Sequence, residues 1–153
     1  MPGMDHILSK GFLATGSSAY TFGQVVQQVN LTTGPLATIN QAQCQICPTS
    51  AGTAGANSVV LGVCQENLDL VKVQTGKAII GVAIEGNCKV VWDGTGTPAV
   101  GSYIVPSGTV AGQVKFVSSV TTFQGFAVVG TPLTLPAAAN DFFDISLAIG
   151  DRI

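Results

Sequence analysis

Charge is what this 153-residue sequence has least of. Asp, Glu, Lys and Arg make up 9% of it, against about 25% in an average soluble domain. There is one Arg (Arg152), one His (His6) and two Glu (Glu66 and Glu85). Six basic and eight acidic side chains leave a formal charge of -2, with a pI near 5.0. This excludes a nucleic-acid partner held by phosphate contacts, because no cluster of cations could displace the counterions. A mean hydropathy of +0.48 excludes a disordered acidic chain. No uninterrupted apolar run reaches about 18 residues, so no membrane-spanning helix is expected. Met1-Pro2-Gly3-Met4-Asp5-His6 has no basic region and Lys10 interrupts the weakly apolar stretch that follows, so no signal peptide is expected.

Strong helix formers are scarce too. Glu, Lys and Arg number two, five and one, whereas Val, Ile and Thr number 19, 10 and 15. Helical proteins cover wet faces with the first set, and sheets use the second. Nineteen Gly and seven Pro interrupt the chain too often for long helices. The length fits one domain with a core that needs no metal or disulfide. An exterior this weakly charged is expected to be covered by other chains, since solitary proteins keep charge on their surfaces.

Residues 1–18 read as an N-terminal arm: Ile7, Leu8, Phe12 and Leu13 are apolar without a clean period, and Gly16-Ser17-Ser18 ends the segment. The remaining residues, 19–153, read as one β-rich domain. Gly23–Asn30 is an expected strand, Thr32-Thr33-Gly34-Pro35 a turn, residues 36–47 a short strand, and Pro48–Asn57 an exposed loop. Further strands are expected at Val59–Cys64, at Leu68–Val73 and at Ala78–Ile84. The last leads into Glu85-Gly86-Asn87, which reads as a hairpin turn returning through Cys88–Trp92. Strands at Ser102–Val105, Val114–Val117 and Phe123–Val129 follow. The clearest alternation is at the end, where Phe143, Ile145, Leu147 and Ile149 share one face, and Asp144, Ser146 and Ala148 the other. About nine short strands imply an all-β, antiparallel sandwich or barrel with an extended arm. Gly62, Gly81 and Gly125, each inside an apolar strand, point to bulges and strong curvature.

The residues offer little for catalysis. His6 lies in the arm, where nothing holds it for acid–base work. Glu66 and Glu85 sit beside turns as solvated carboxylates, and Asp141 and Asp144 flank the last strand. Gly94-Thr95-Gly96-Thr97-Pro98-Ala99-Val100-Gly101 has the glycines of a phosphate loop but no Lys-Ser/Thr end and no following helix. Cys44-Gln45-Ile46-Cys47 has the gap of a zinc knuckle without a second close pair. The four cysteines could be bound to zinc or joined in disulfides. The reading taken is buried, hydrophobe-like Cys64 and Cys88, with Cys44 and Cys47 as reduced thiols. No cofactor is expected. Asn30-Leu31-Thr32 fits a glycosylation sequon but carries no meaning without a secretory signal.

Several stretches resemble the small capsid decoration (cement) proteins of tailed bacteriophages. They are Gly76–Gly86 with Val90-Val91-Trp92-Asp93-Gly94, Ala99–Val105 (Ser102 standing where Asp is common), Phe123–Val129 with the strand Asp144–Ile149, and Gly23-Gln24-Val25-Val26. The resemblance spans residues 20 to 150. Four cysteines, the loop at 48–57 and the segment Thr131–Asn140 depart from the pattern. The resemblance implies a β-barrel or β-tulip, often a homotrimer, that binds the outside of an icosahedral head at local three-fold axes and staples neighbouring major-capsid subunits. It places the protein on the outer surface of the virion after synthesis in the host cytoplasm. Ile7, Leu8, Phe12 and Leu13 are then the expected capsid-contact anchors of the arm, and Trp92 and Tyr103 the expected residues of a trimer seam. The alternatives are a phage head-fibre or tail-associated subunit and a secreted or fimbrial β-sandwich. A trimeric nucleotide hydrolase would need several arginines for phosphates, and this sequence has one.

Overall fold

The computed structural model describes residues 7–29, 42–53, 59–120 and 128–149. Nine strands run through them: β1 (Leu8–Ala14), β2 (Val25–Val29), β3 (Gln43–Ile46), β4 (Val60–Cys64), β5 (Ile79–Val91), β6 (Tyr103–Pro106), β7 (Val114–Val117), β8 (Gly130–Pro132) and β9 (Phe142–Leu147). Among the described residues, helix is confined to a 3-10 turn, Thr49–Gly52, and one short α-helix, α1 (Leu70–Gln74). The all-β expectation holds. His6, Asn30, the turn at 32–35, Gly125, Arg152 and most of the strand expected at 123–129 lie outside the described residues.

Five strands close into a small mixed barrel. β1 pairs parallel with β3 and antiparallel with β5, and β3–β2, β2–β4 and β4–β5 are antiparallel. The other four strands extend from β5 in the order β9-β8-β6-β7. A bridge between Trp92 and Val114 brings the far end of this second sheet back to the chain just beyond β5.

The 13-residue β5 belongs to both halves, and a bulge makes that possible. Ile80, Val82 and Ile84 belong to the barrel-interior cluster, whereas Ala83 faces the layer between barrel and second sheet. Beyond Gly86 the even-numbered positions Cys88 and Val90 face that layer instead. Strand side chains alternate strictly, so one extra residue must intervene. It does so where the register with β1 jumps from Leu8↔Glu85 to Ser9↔Ala83. The hairpin expected at Glu85-Gly86-Asn87 is therefore corrected. Gly86 has φ 100, but Ile79–Val91 is one strand, and from Gly86 onward it pairs with β9 rather than folding back on residues 79–84.

Two other expectations are corrected. Leu68–Val73 does not form a strand. Residues Leu70–Gln74 make one helical turn that buries only Val73, which joins the barrel-interior cluster. Residues 8–14 are not an arm but a barrel strand with neighbours on both sides. Of the loop expected at Pro48–Asn57, residues 48–53 are described, and among them Ala51 and Gly52 are buried. The last strand is as expected, with Phe143, Ile145 and Leu147 buried. Gly62 answers to its expected role. A Cβ there would lie 1.9 Å from the Ala83 carbonyl oxygen, so only glycine lets β4 run this close to β5.

Candidate functional site

The side chains that could carry chemistry are mostly tied into structure. All four cysteines are buried and unpaired. Burial pushes Cys44 up to about 11, opposed by its contact with the Tyr20 hydroxyl. Burial likewise raises Cys64 and Cys88 to about 12 and Cys47 further still, with Cys64 adding to the effect. Thiols held this far above neutral pH are protonated and make poor nucleophiles. Among the described residues no group of three or more His, Cys, Asp or Glu side chains could hold a metal ion.

Tyr20, almost wholly buried, clips the barrel end. Its hydroxyl donates to the Thr15 carbonyl oxygen at 2.6 Å, lies 2.9 Å from the Cys44 carbonyl oxygen, and accepts the Thr15 N–H at 3.1 Å. Burial and the neighbouring Cys44 thiol hold its ionisation well above the usual range. Asp93 organises the second sheet's loops. It accepts the Thr95 N–H at 2.6 Å, the Ser107 hydroxyl and the Thr109 hydroxyl. The glycine-rich loop after Asp93 is thus a capped turn. The Glu66 carboxylate accepts the Gly81 N–H at 2.9 Å, which fixes it against β5.

What remains is surface. A groove of about 310 Å³ runs between the barrel and the outer face of β5, β9 and the segment after β8, lined by Ile7, Phe22, Lys89, Leu133, Thr134 and Asp144 among others. Phe142 adjoins it, its ring 6.0 Å from that of Phe22. Ile7, Phe22, Leu133 and Phe142 are 43, 36, 53 and 52% exposed, which is high for large apolar groups sharing one face. In their midst Lys89 Nζ donates to Asp144 Oδ1 at 2.9 Å. This pair follows from register, because Lys89 and Asp144 stand opposite each other on β5 and β9. A second, charge-free groove of about 450 Å³ is lined by Thr15, Ser17, Ser18, Gln24, Gln45 and Val110 among others.

The residues singled out from sequence fall in different places. Ile7 and Leu8 are exposed, and Ile7 lines the first groove. Phe12 and Leu13 are buried, which corrects their reading as anchors of a free arm: Phe12 fills the barrel interior. Trp92 is 8% exposed, packs edge-on against Phe116 and donates its ring N–H to the Thr95 carbonyl oxygen at 2.9 Å. Within the chain it is a core residue. Tyr103 is half-buried against Val105, Val120 and Val128. Phe22, Phe142, Leu133 and the Lys89–Asp144 pair were not singled out. The alternation of β9 carried the signal, since placing Phe143 inside necessarily places Phe142 outside.

No family model matches the chain, and no curated protein does. Among solved structures the fold is similar to the head fibre gp8.5 N base of bacteriophage phi29. The TM-score is 0.54 with 10% sequence identity, over 94% of this chain and 95% of that chain. At that identity the likeness is one of fold.

Proposed function

We propose that the chain is a structural protein of a phage head, built as the base that seats a fibre on the capsid's outer surface. The observation that carries this is the fold likeness to the phi29 head fibre base, which extends over nearly the whole of both chains. The sequence resemblance to capsid decoration proteins points to the same location, the outside of an icosahedral head. Of those two related roles the fold likeness favours the fibre base over the cement protein. The chemistry is consistent with adhesion: buried, protonated thiols, carboxylates engaged by backbone and hydroxyl groups, and apolar side chains displayed at the surface. On this reading the role is structural rather than enzymatic. The partners are the major capsid protein and further copies of this chain, and a homotrimer at a local three-fold site is the arrangement the decoration-protein resemblance implies. Ile7 and Leu8 are the anchors from β1 and its lead-in that remain available to the capsid, and Tyr103 is the remaining seam residue.

The test is co-sedimentation of the purified protein with expanded heads lacking it, through a density gradient. Saturable binding at a fixed number of copies per head is expected. Protein left wholly at the top of the gradient contradicts the proposal.

A further inference from the structure

β1 to β4 precede β5 in the chain and β6 to β9 follow it, so the chain passes from barrel to second sheet along β5. It does so beside a bulge, at Gly86 with φ 100. Two halves joined only by such a kink could turn about it, since a hinge is a few residues that absorb a change in φ and ψ. The second sheet is fastened to the barrel again at its other end. β7 is the strand farthest from β5 in that sheet, and the loop before it carries Gly112 into a ring of three residues. The Val25 N–H donates to the Gly112 carbonyl oxygen at 2.9 Å, the Gly112 N–H to the Cys47 carbonyl oxygen at 3.0 Å, and the Cys47 N–H to the Val25 carbonyl oxygen at 2.9 Å. Val25 opens β2 and Cys47 follows β3, so two members of the ring belong to the barrel and one to the second sheet.

We propose that this ring is a lock on the β5 kink, which makes barrel and second sheet move as one body. All three residues are buried, so breaking any one bond strands a donor and an acceptor away from water. The fit is specific to glycine. Gly112 has φ 81, and a Cβ there would lie 2.9 Å from Ile46 Cγ2 and 3.0 Å from Gln24 Cγ, so the loop meets the barrel backbone where a side chain has no room. The loop is held in shape from its own side. Asp93 accepts the Ser107 and Thr109 hydroxyls, and Ser107 Oγ accepts the N–H groups of Thr109 and Val110, each at 2.9 Å. A second tie lies close by: Lys115 Nζ on β7 donates to the Gly52 carbonyl oxygen at 2.5 Å, on the 3-10 turn that follows β3. The side chains of Val25 and Cys47 belong to the same buried layer as Trp92, Val114 and Phe116, so closing the ring and filling the layer are one event.

The lock needs no head, and none enters its test, which is amide hydrogen exchange of the full chain read by NMR. In the wild type the Val25, Cys47 and Gly112 amides are expected to share one protection factor, because the ring opens as a unit. Gly112→Ala is expected to speed exchange at Val25 and Cys47 by about tenfold or more. The Ala14 N–H, bonded at 2.9 Å to the Ala78 carbonyl oxygen at the lead-in to β5, keeps its rate, which separates an opened lock from general loss of stability. Gly108→Ala makes the same substitution in the same loop, where a Cβ meets nothing closer than 3.5 Å, and is expected to exchange like the wild type. If Gly112→Ala does not fold, the comparison of the three wild-type amides decides alone. A Gly112 amide that exchanges about tenfold faster than those of Val25 and Cys47 in the wild type, equal acceleration at Ala14 and Val25 in Gly112→Ala, no acceleration at all, or the same response in Gly108→Ala would each overturn the proposal. A chain locked in this way that ignores heads would leave it standing and defeat the reading of function.

Discussion

The barrel interior and the layer between barrel and second sheet are both built of buried apolar residues, yet the largest side chains differ. The interior holds Phe12, Ala14, Tyr20, Val26, Cys44, Cys64, Val73, Ile80 and Val82. The layer is dominated by Trp92, Phe116 and Phe143, with Phe116 stacked on Phe143 at 5.2 Å and set edge-on to Trp92 at 6.1 Å. The difference follows from geometry. A five-strand ring leaves little room at its centre, so aliphatic side chains and thiols fill it, with one phenylalanine and one tyrosine clip. Facing sheet surfaces stand about 10 Å apart, which suits interleaved aromatic rings. The interior depends on closing the ring, and the layer depends on filling space.

Deleting residues 1–14 should break the comparison altogether. The deletion removes β1, whose pairings with β3 and β5 close the ring. The expected result is loss of cooperative unfolding by calorimetry in both halves, because β5 is shared. A folded truncated chain would restore the reading of this segment as an arm. The next effect in size separates the two cores. Phe143→Ala should cost about 3–5 kcal/mol and Cys64→Ala distinctly less, read from denaturant midpoints. Equal costs would mean that the two cores are filled alike.

The smallest effect sharpens the contrast through pH. The thiols ionise at the ordinary 9.0 when unfolded, but Cys44 at about 11 and Cys64 and Cys88 at about 12 when folded. Above pH 9 the unfolded chain therefore releases protons first. The stability held below that pH is lost progressively as pH rises towards 12. Replacing Cys44 and Cys64 by Val should flatten this alkaline decline in the melting temperature, and an unaltered decline would exclude these thiols as its cause.

How much of this was legible in the sequence depended on whether a segment is covered on one side or two. β9 is half-covered, and its alternation reads directly. In β1, Phe12 and Ala14 fill the barrel interior while Leu13 is buried as well. A strand covered on both faces shows an apolar run rather than a period, and at a chain terminus that run resembled an arm. The β-branched residues of Leu70–Gln74 suggested a strand, but a five-residue helix is too short to display a helical period and rests on tertiary contact. Glu85-Gly86-Asn87 reads as a turn, and Gly86 does have positive φ, but the continuation of β5 through it depends on pairing with β9, far away in sequence. The groove face was half legible. The outward position of Phe142 follows from alternation, but its meeting with Phe22 and Ile7 follows from how the barrel sits beside the second sheet.

The most direct measurement is a reconstruction of expanded phage heads that lack this protein, imaged after mixing with the purified chain. Added density the size of one barrel with its second sheet, repeated at equivalent positions on the outer surface, is the expected outcome. Heads that stay bare at saturating protein would contradict the account.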